Sequence, residues 1–321
     1  MADDFKILSY REELQLSVEE YSDYAERLRN FCRNRKLQVS SPGAITLAPK
    51  LKKPVNKIST AVTKLLAGGA YEKQIEGIEN LPEGPVIFAC THQGILDNFV
   101  WIPDNPKHAL IVHGVETNKL LLAAQYDIGL IYVTKDKGKQ DKRYAAKLDI
   151  ITTLLKGHSI IIFPETAWNL SPNKLHLPLN FGFVDVAKKT GVPIVPMVIE
   201  YTYDTQGVKE RIVKINIKYG APIKVEIKDD LIVKTKEYSE SVATMRWEIL
   251  EGRGLVKREE VDNWEYINFL KGNFKNLKLG KIDRTRENNG IQGSNDEFYQ
   301  YFYINDHAFD EKGNILKKSF V

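Results

Sequence analysis

The stretch PVIFAC, at residues 85–90, continues directly into THQGILDN at residues 91–98. The first six residues form a short apolar run, which is typical of a strand buried on both faces. The next eight place His92 and Asp97 just beyond the end of that strand. Because binding and catalytic groups collect at the carboxyl ends of strands in open α/β sheets, this stretch predicts a central strand with a candidate site at its end.

Outward from this strand, short apolar runs alternate with helical stretches. We predict strands at residues 109–112, 130–133, 159–163 and 194–201, and helices at residues 96–102, 118–125, 142–155, 183–189 and 238–250. Residues 211–219, RIVKINIKY, alternate polar and apolar side chains and predict a half-exposed edge strand. We therefore expect an α/β fold with a mixed, largely parallel sheet flanked by helices.

The residues before this region predict an N-terminal helical annex. Apolar side chains recur at helical spacing at Val18, Tyr21, Tyr24, Ala25, Leu28 and Phe31, and in a second helix at Val55, Ile58, Val62, Leu65 and Leu66. Lysines precede this helix at positions 50, 52 and 53, and within it Lys57 and Lys64 lie off the apolar side. That helix fits either a membrane surface with anionic headgroups or the protein core, with its lysines in solvent. We expect three regions: the annex at 1–74, the α/β domain at 75–255 and a C-terminal extension at 256–321.

The overall composition is that of a soluble globular protein. The chain has 321 residues, of which 43% are hydrophobic and 27% charged, and its net charge of +4 is well short of that of a dedicated nucleic-acid binder. No apolar run approaches the length needed to span a bilayer, and the N-terminus lacks the apolar core of an export signal. The two cysteines, Cys32 and Cys90, have no metal-binding spacing and predict a reducing compartment. These features favour a cytoplasmic protein.

His92 and Asp97 suggest general-base chemistry. A carboxylate that holds one imidazole nitrogen fixes the tautomer, so that the other nitrogen can take a proton from a hydroxyl or amine. The alternative is a loop histidine followed by an aspartate that caps a helix. The sequence has no Gly-x-Ser-x-Gly motif and Cys90 lies inside the apolar strand, which favours direct transfer between two substrates over a covalent intermediate. No metal-ligand cluster or phosphate-binding glycine loop is evident, so we expect no metal or cofactor.

Four motifs in order resemble the glycerophospholipid acyltransferase superfamily, whose best-known type is lysophosphatidic acid acyltransferase. They are His92 to Asp97, GLIYVTK at residues 129–135, FPE at residues 163–165 and VPIVP at residues 192–196. The resemblance implies that His92 deprotonates an acceptor hydroxyl, which attacks the thioester of acyl-CoA or acyl carrier protein, while Asp97 orients His92. It also implies substrate-binding residues at Gln93, Gly94, Lys135, Phe163, Pro164, Glu165, Thr166, Trp168 and Asn180. The expected setting is phospholipid biosynthesis by a peripheral protein on the inner face of the cell membrane.

The third motif departs from the family pattern. The family usually continues Gly-Thr-Arg after the glutamate, but this chain has Thr166, Ala167 and Trp168. Lys135 stands where the second motif usually has arginine. Because arginine binds phosphate with a planar fork that tryptophan lacks, we expect an acceptor other than a simple lysophosphatidate. Lys174 and His176 are alternative sources of charge, which keep a phosphorylated acceptor open.

Two other functions are consistent with the sequence. One is a non-catalytic lipid-binding or scaffold protein on a decayed acyltransferase fold, suggested by the altered third motif. The other is a thioesterase-like hydrolase in which His92 activates water.

Overall fold

A computed structural model describes most of the chain up to residue 252. The described residues are 5–8, 10–37, 56–107, 109–113, 130–133, 140–166, 169, 175–177, 179–204 and 211–252, together with three short strands at 302–304, 307–309 and 315–316. The predicted helix at 118–125, the predicted site residues Lys135 and Trp168, and Lys174 lie outside them.

Seven strands form one sheet. They are β1 (Glu72–Glu76), β2 (Ile87–Cys90), β3 (Ala109–His113), β4 (Leu130–Tyr132), β5 (Ser159–Ile162), β6 (Ile194–Asp204) and β7 (Arg211–Tyr219). Their order across the sheet is β1-β7-β6-β2-β5-β3-β4. Strands β6, β2, β5, β3 and β4 pair in parallel, β7 is antiparallel to β6, and β1 is parallel to β7. The expected mixed, largely parallel sheet is confirmed.

Helices cover both faces of this sheet. They are α1 (Tyr10–Glu13), α2 (Val18–Asn34), α3 (residues 56–67), α4 (Gln140–Leu155), α5 (Gly182–Thr190) and α6 (Leu231–Glu251), with short 3-10 turns at Ile78–Asn80 and Ile95–Asn98. The annex helix α2 begins with a capping box, in which Ser17 and Glu20 satisfy each other's backbone N–H groups. A second, small antiparallel sheet contains β8 (Phe302–Ile304), β9 (His307–Phe309) and β10 (Ile315–Leu316).

Strand β2 is buried on both faces because the sheet separates two hydrophobic cores. Phe88 and Cys90 belong to the core beneath α3 and the segment that follows the candidate site. Ile87 and Ala89 belong to the core that α2, α4, α5 and α6 cover on the other face. All four side chains are fully buried, so the apolar run has no polar alternation and its assignment as a central strand is correct.

Two predicted elements differ in the structure, and one strand was not predicted. Strand β7 is not the edge strand, because β1 pairs along its outer side. Alternate residues of β1 are exposed, so its sequence, EKQIE, has few apolar side chains to indicate a strand. The predicted boundary between the annex and the α/β domain, between residues 74 and 75, falls inside this strand. In place of the predicted helix at 96–102 the structure has a 3-10 turn at Ile95–Asn98 followed by hydrogen-bonded turns, and Asp97 in the 3-10 turn contacts His92.

Buried ion pairs connect the annex to the α/β domain. Arg35, just after α2, pairs with the fully buried Asp149 of α4. Lys189 of α5 is buried between Glu13 and Asp185. Such pairs tolerate burial only when each charge keeps its partner, so they fix how the N-terminal helices dock.

Candidate functional site

The candidate site begins with His92 and Asp97 at the carboxyl end of β2. His92 Nδ1 lies 2.9 Å from Asp97 Oδ2, and the Asp97 side chain has no solvent exposure. The His92 ring stacks on Phe163, with 4.1 Å between ring centroids. Because Asp97 occupies Nδ1, Nε2 is the ring nitrogen suited to proton transfer.

Three further groups hold the Asp97 carboxylate. The backbone N–H groups of Gln93 and Gly94 donate to its Oδ2 over 2.5 Å and 2.8 Å. The hydroxyl of Tyr201, on β6, donates to its Oδ1. A carboxylate held on both oxygens has a fixed orientation, so Asp97 is suited to orient the imidazole ring. Towards Asp97, Gln93 and Gly94 donate through their backbone N–H groups.

Glu165 lies beside His92 because of the register between β2 and β5. The strands pair with an offset of 73 residues, from Ile87 opposite Ile160 to Ala89 opposite Ile162. The same offset continues beyond the strands, where the His92 N–H donates to Glu165 Oε1 over 2.8 Å. The Leu177 N–H donates to Glu165 Oε2 over 2.7 Å. The glutamate thus ties the histidine turn to the loop after β5.

The ionisation of Glu165 is strongly perturbed. Burial raises its pKa to about 8, against the opposing effects of the N–H groups of Leu177 and His92 and the charge of Arg246. A carboxyl with a pKa close to neutrality changes charge within the working range of most enzymes, which is typical of functional sites.

A second pair of polar residues follows the register between β2 and β6. Ile87 lies opposite Ile194, an offset of 107 residues, and the same offset separates Gln93 from Glu200, whose Oε2 accepts a hydrogen bond from Gln93 Nε2. The buried Arg246 of α6 donates from Nε to the same carboxylate over 2.8 Å. Its Nη1 donates to the Leu175 carbonyl over 2.8 Å.

The remaining described residues of the third motif shape the loop. The Pro164 carbonyl accepts the N–H of Asn180 over 2.9 Å, and the exposed Asn180 side chain accepts the N–H of Gly182. Thr166 is exposed and has a φ of 56°, in the left-handed region that favours glycine. His176 contacts the Leu177 carbonyl through Nδ1 and the Ser239 hydroxyl through Nε2, both within 2.8 Å.

Cys90 is unsuited to nucleophilic attack. Its thiol is fully buried in the core, and burial raises its pKa well above the ordinary value of 9.0. A thiol that resists ionisation is a poor nucleophile, so its position in β2 agrees with a packing role.

We compared the chain with models of known protein families. The family model described as Acyltransferase matches residues 72–200, which run from β1 to Glu200. The superfamily expected from the motifs is therefore confirmed. Residues 72–200 are similar to the acyltransferase family.

Two relatives show the extent of the similarity. The 1-acyl-sn-glycerol-3-phosphate acyltransferase of Cocos nucifera is 28% identical over 156 residues, which cover 47% of this chain and 50% of that protein. The chain thus spans about half the length of the curated relative that it matches. The crystal structure of the 1-acyl-sn-glycerophosphate acyltransferase PlsC from Thermotoga maritima superposes with a TM-score of 0.48 and 18% identity, over 71% of this chain and 88% of that one.

Sequence reasoning missed three residues that hold the candidate site together, namely Glu200, Tyr201 and Arg246. Tyr201 and Arg246 lie beyond the matched segment, and Glu200 is its last residue. Only Glu200 carries a signal that could have been used, because a charged side chain inside an apolar strand calls for a buried partner. Among the helices that the structure describes, none is long and apolar enough to cross a membrane.

Proposed function

We propose that this protein transfers a fatty acyl group from a thioester donor, acyl-CoA or acyl carrier protein, to a hydroxyl of a lipid or lyso-lipid acceptor. His92 is the general base of this O-acyltransferase reaction and Asp97 orients it. One observation carries the proposal: the fully buried Asp97 lies 2.9 Å from His92 Nδ1 at the end of a central strand of an acyltransferase-family segment.

The reaction needs one proton transfer in each direction. His92 Nε2 takes the proton of the acceptor hydroxyl as its oxygen attacks the thioester carbonyl carbon. The tetrahedral intermediate then collapses, the carbon–sulfur bond breaks, and the imidazolium returns the proton to the departing thiolate. No bond to the protein forms, in agreement with the burial of Cys90.

Release of free thiol from acyl-CoA tests this proposal and its two alternatives. We expect thiol release that depends on an added lipid acceptor and is lost in His92→Ala. Thiol release without an acceptor would instead indicate a hydrolase that activates water. Lipid binding without turnover would indicate a scaffold, and full activity in His92→Ala would refute the role of the base. Replacing acyl-CoA by acyl carrier protein in the same assay identifies the donor.

We propose that the acceptor is not a simple lysophosphatidate but a glycolipid, another lyso-lipid, or an alcohol or amine that stacks on Trp168. The cations described near the third-motif loop support this, because they already have protein partners. Arg246 is buried against Glu200, and both ring nitrogens of His176 are within hydrogen-bond distance of protein oxygens. A panel of radiolabelled acceptors tests the proposal. Preferential acylation of lysophosphatidic acid over uncharged acceptors would refute it.

We propose that the protein binds the membrane peripherally through α3. This helix buries Ser59, Thr63 and Ala67 against the core, whereas Ile58 and Leu65 are 52% and 79% exposed. These two apolar side chains therefore lie outside the core. An exposed apolar stripe beside Lys57 and Lys64 has the composition of an interfacial helix.

The position of α3 supports a link between membrane contact and the site. The Ser59 hydroxyl donates to the Phe99 carbonyl over 2.6 Å, two residues beyond Asp97. A helix that rests on the bilayer here keeps the His92 turn close to the lipid surface, which suits a lipid acceptor.

Vesicle flotation tests the membrane proposal. We expect the double variant Ile58→Ser/Leu65→Ser to lose binding to vesicles that contain anionic lipid. Val233→Ser is the matched control, because Val233 is 64% exposed on α6, which covers the opposite face of the sheet. Unchanged flotation of the α3 variant, or equal loss in the control, would remove α3 from the proposal.

A further inference from the structure

We propose that Glu200 and Arg246 are positioning residues for the acyl transfer, because together they lock the His92 turn to the loop that carries Glu165. This inference rests on the proposed function. Neither residue lies in a recognised motif, and each acts on the reaction through other groups.

The two residues complete a closed series of contacts. On one side, Glu165 accepts the N–H groups of His92 and Leu177. On the other side, Glu200 accepts the side-chain amide of Gln93, the residue that follows His92. Arg246 connects the Glu165 contacts with the Glu200 contacts, so that the hydrogen bonds form a closed ring, called the contact ring below.

Arg246 closes the ring with its two forked donors. Its Nε donates to Glu200 and its Nη1 donates to the carbonyl of Leu175, each over 2.8 Å. Leu175 lies two residues before Leu177, whose N–H binds Glu165. The guanidinium therefore connects the Glu200 carboxylate on β6 with the Leu175 carbonyl in the loop. The single ammonium of lysine reproduces this double contact poorly.

The contact ring also holds the backbone of the His92 turn at two neighbouring residues. His92 itself donates through its backbone to Glu165, and Gln93 donates through its backbone to Asp97. If the loop or the turn shifted, the imidazole would move relative to a bound acceptor, and a displacement of about 1 Å can cost about a hundredfold in rate.

The burial of the pair dictates how it must be tested. Arg246 has no exposure and Glu200 is 4% exposed, so removing one partner leaves a buried charge uncompensated and destabilises the fold. Replacing both by apolar residues of similar size often preserves stability. The double variant Glu200→Met/Arg246→Met therefore separates positioning from folding, and Arg246→Lys, which keeps the charge without the fork, is a second route.

Two measurements are made on the full chain. In the acyl transfer assay, we expect the double variant to lose about a hundredfold in kcat, with the KM for acyl-CoA changed less than about threefold. In hydrogen–deuterium exchange, we expect at least about tenfold faster exchange in peptides that contain His92 and Leu177, whose N–H groups bind Glu165. Arg246→Lys should show a smaller loss of the same kind.

The matched control is the double variant Arg35→Met/Asp149→Met, which removes another buried ion pair at the junction of α2 and α4. We expect its kcat and exchange at the site to equal those of the wild type. Wild-type kcat and exchange in the folded Glu200/Arg246 variants would overturn the inference, as would failure of both to fold. An inactive wild-type protein would refute the proposed function, while the exchange experiment would still test the ring.

Discussion

Replacing Glu165 with glutamine should change how the stability of the protein depends on pH. Burial raises the pKa of Glu165 from its ordinary value of 4.5 to about 8. The native protein therefore keeps a proton on this carboxyl across a range in which the unfolded chain has released it. Between pH 4.5 and about pH 8 the free energy of unfolding therefore falls as pH rises, and above about pH 8 it falls no further on account of this carboxyl. Glutamine, which is neutral throughout, has no such dependence.

The size of the effect follows from the two pKa values. One proton contributes about 1.4 kcal/mol for each pH unit, so the interval from 4.5 to about 8 corresponds to about 5 kcal/mol. At pH 5 the free energies of unfolding of the wild type and Glu165→Gln should differ mainly through the altered hydrogen bonds to His92 and Leu177, with about 1 kcal/mol of the pH effect already present. At pH 9 the wild-type carboxylate is charged and buried, so relative to pH 5 the variant should have gained about 4 kcal/mol over the wild type.

Urea unfolding between pH 5 and pH 9 measures the difference in the free energy of unfolding. Other titrating groups cancel between the two proteins, so the difference isolates Glu165. The control is Glu79→Gln, which makes the same substitution at an exposed position. If the difference for Glu165→Gln were independent of pH, the assignment of a raised pKa to this buried carboxyl would be refuted.

Four further predictions concern single side chains. Asp97→Asn should reduce kcat by about 10³ to 10⁴-fold in the thiol-release assay, because an amide does not stabilise the charged imidazole; a loss below tenfold would contradict its role. Tyr201→Phe should reduce kcat roughly tenfold by removing the hydrogen bond to Asp97, while Tyr219→Phe, on the neighbouring strand, should not. Thr166→Gly should raise the free energy of unfolding by about 1 kcal/mol in urea, because its φ of 56° strains a β-branched residue; a decrease would show that the side chain outweighs the strain. Lys189→Met should lower that free energy by about 3–5 kcal/mol, since Glu13 and Asp185 lose a buried partner, and a loss below about 1 kcal/mol would contradict the pairing.

The sheet was predictable because its central strands are apolar on both faces. Strands β2, β5 and β6 stand out as short apolar runs bounded by turns, and burial on two faces leaves few other assignments. Strand β1 was not predictable in the same way, because every second residue faces solvent and its apolar content is low. The orientation of α3 was left open by the sequence, because its apolar residues are divided between two sides. Val62 and Leu66 pack against the core beside Ser59 and Thr63, while Ile58 and Leu65 are exposed.

The His92 and Asp97 pair could be found because both residues lie within one turn after a strand. The contacts of that pair with the rest of the site depend on register, which the sequence does not state. An offset of 73 residues brings Glu165 to the His92 backbone, and an offset of 107 residues brings Glu200 to Gln93. A slip of one residue in either strand pair would turn these side chains to the opposite face of the sheet. The hydrophobic burial of β2 on both faces penalises such a slip, so the packing that specifies the fold also specifies the polar contacts of the site. Arg246 could not be assigned to the site from the sequence, because it lies on a helix 46 residues after Glu200. It reaches the site only because α6 packs against β6.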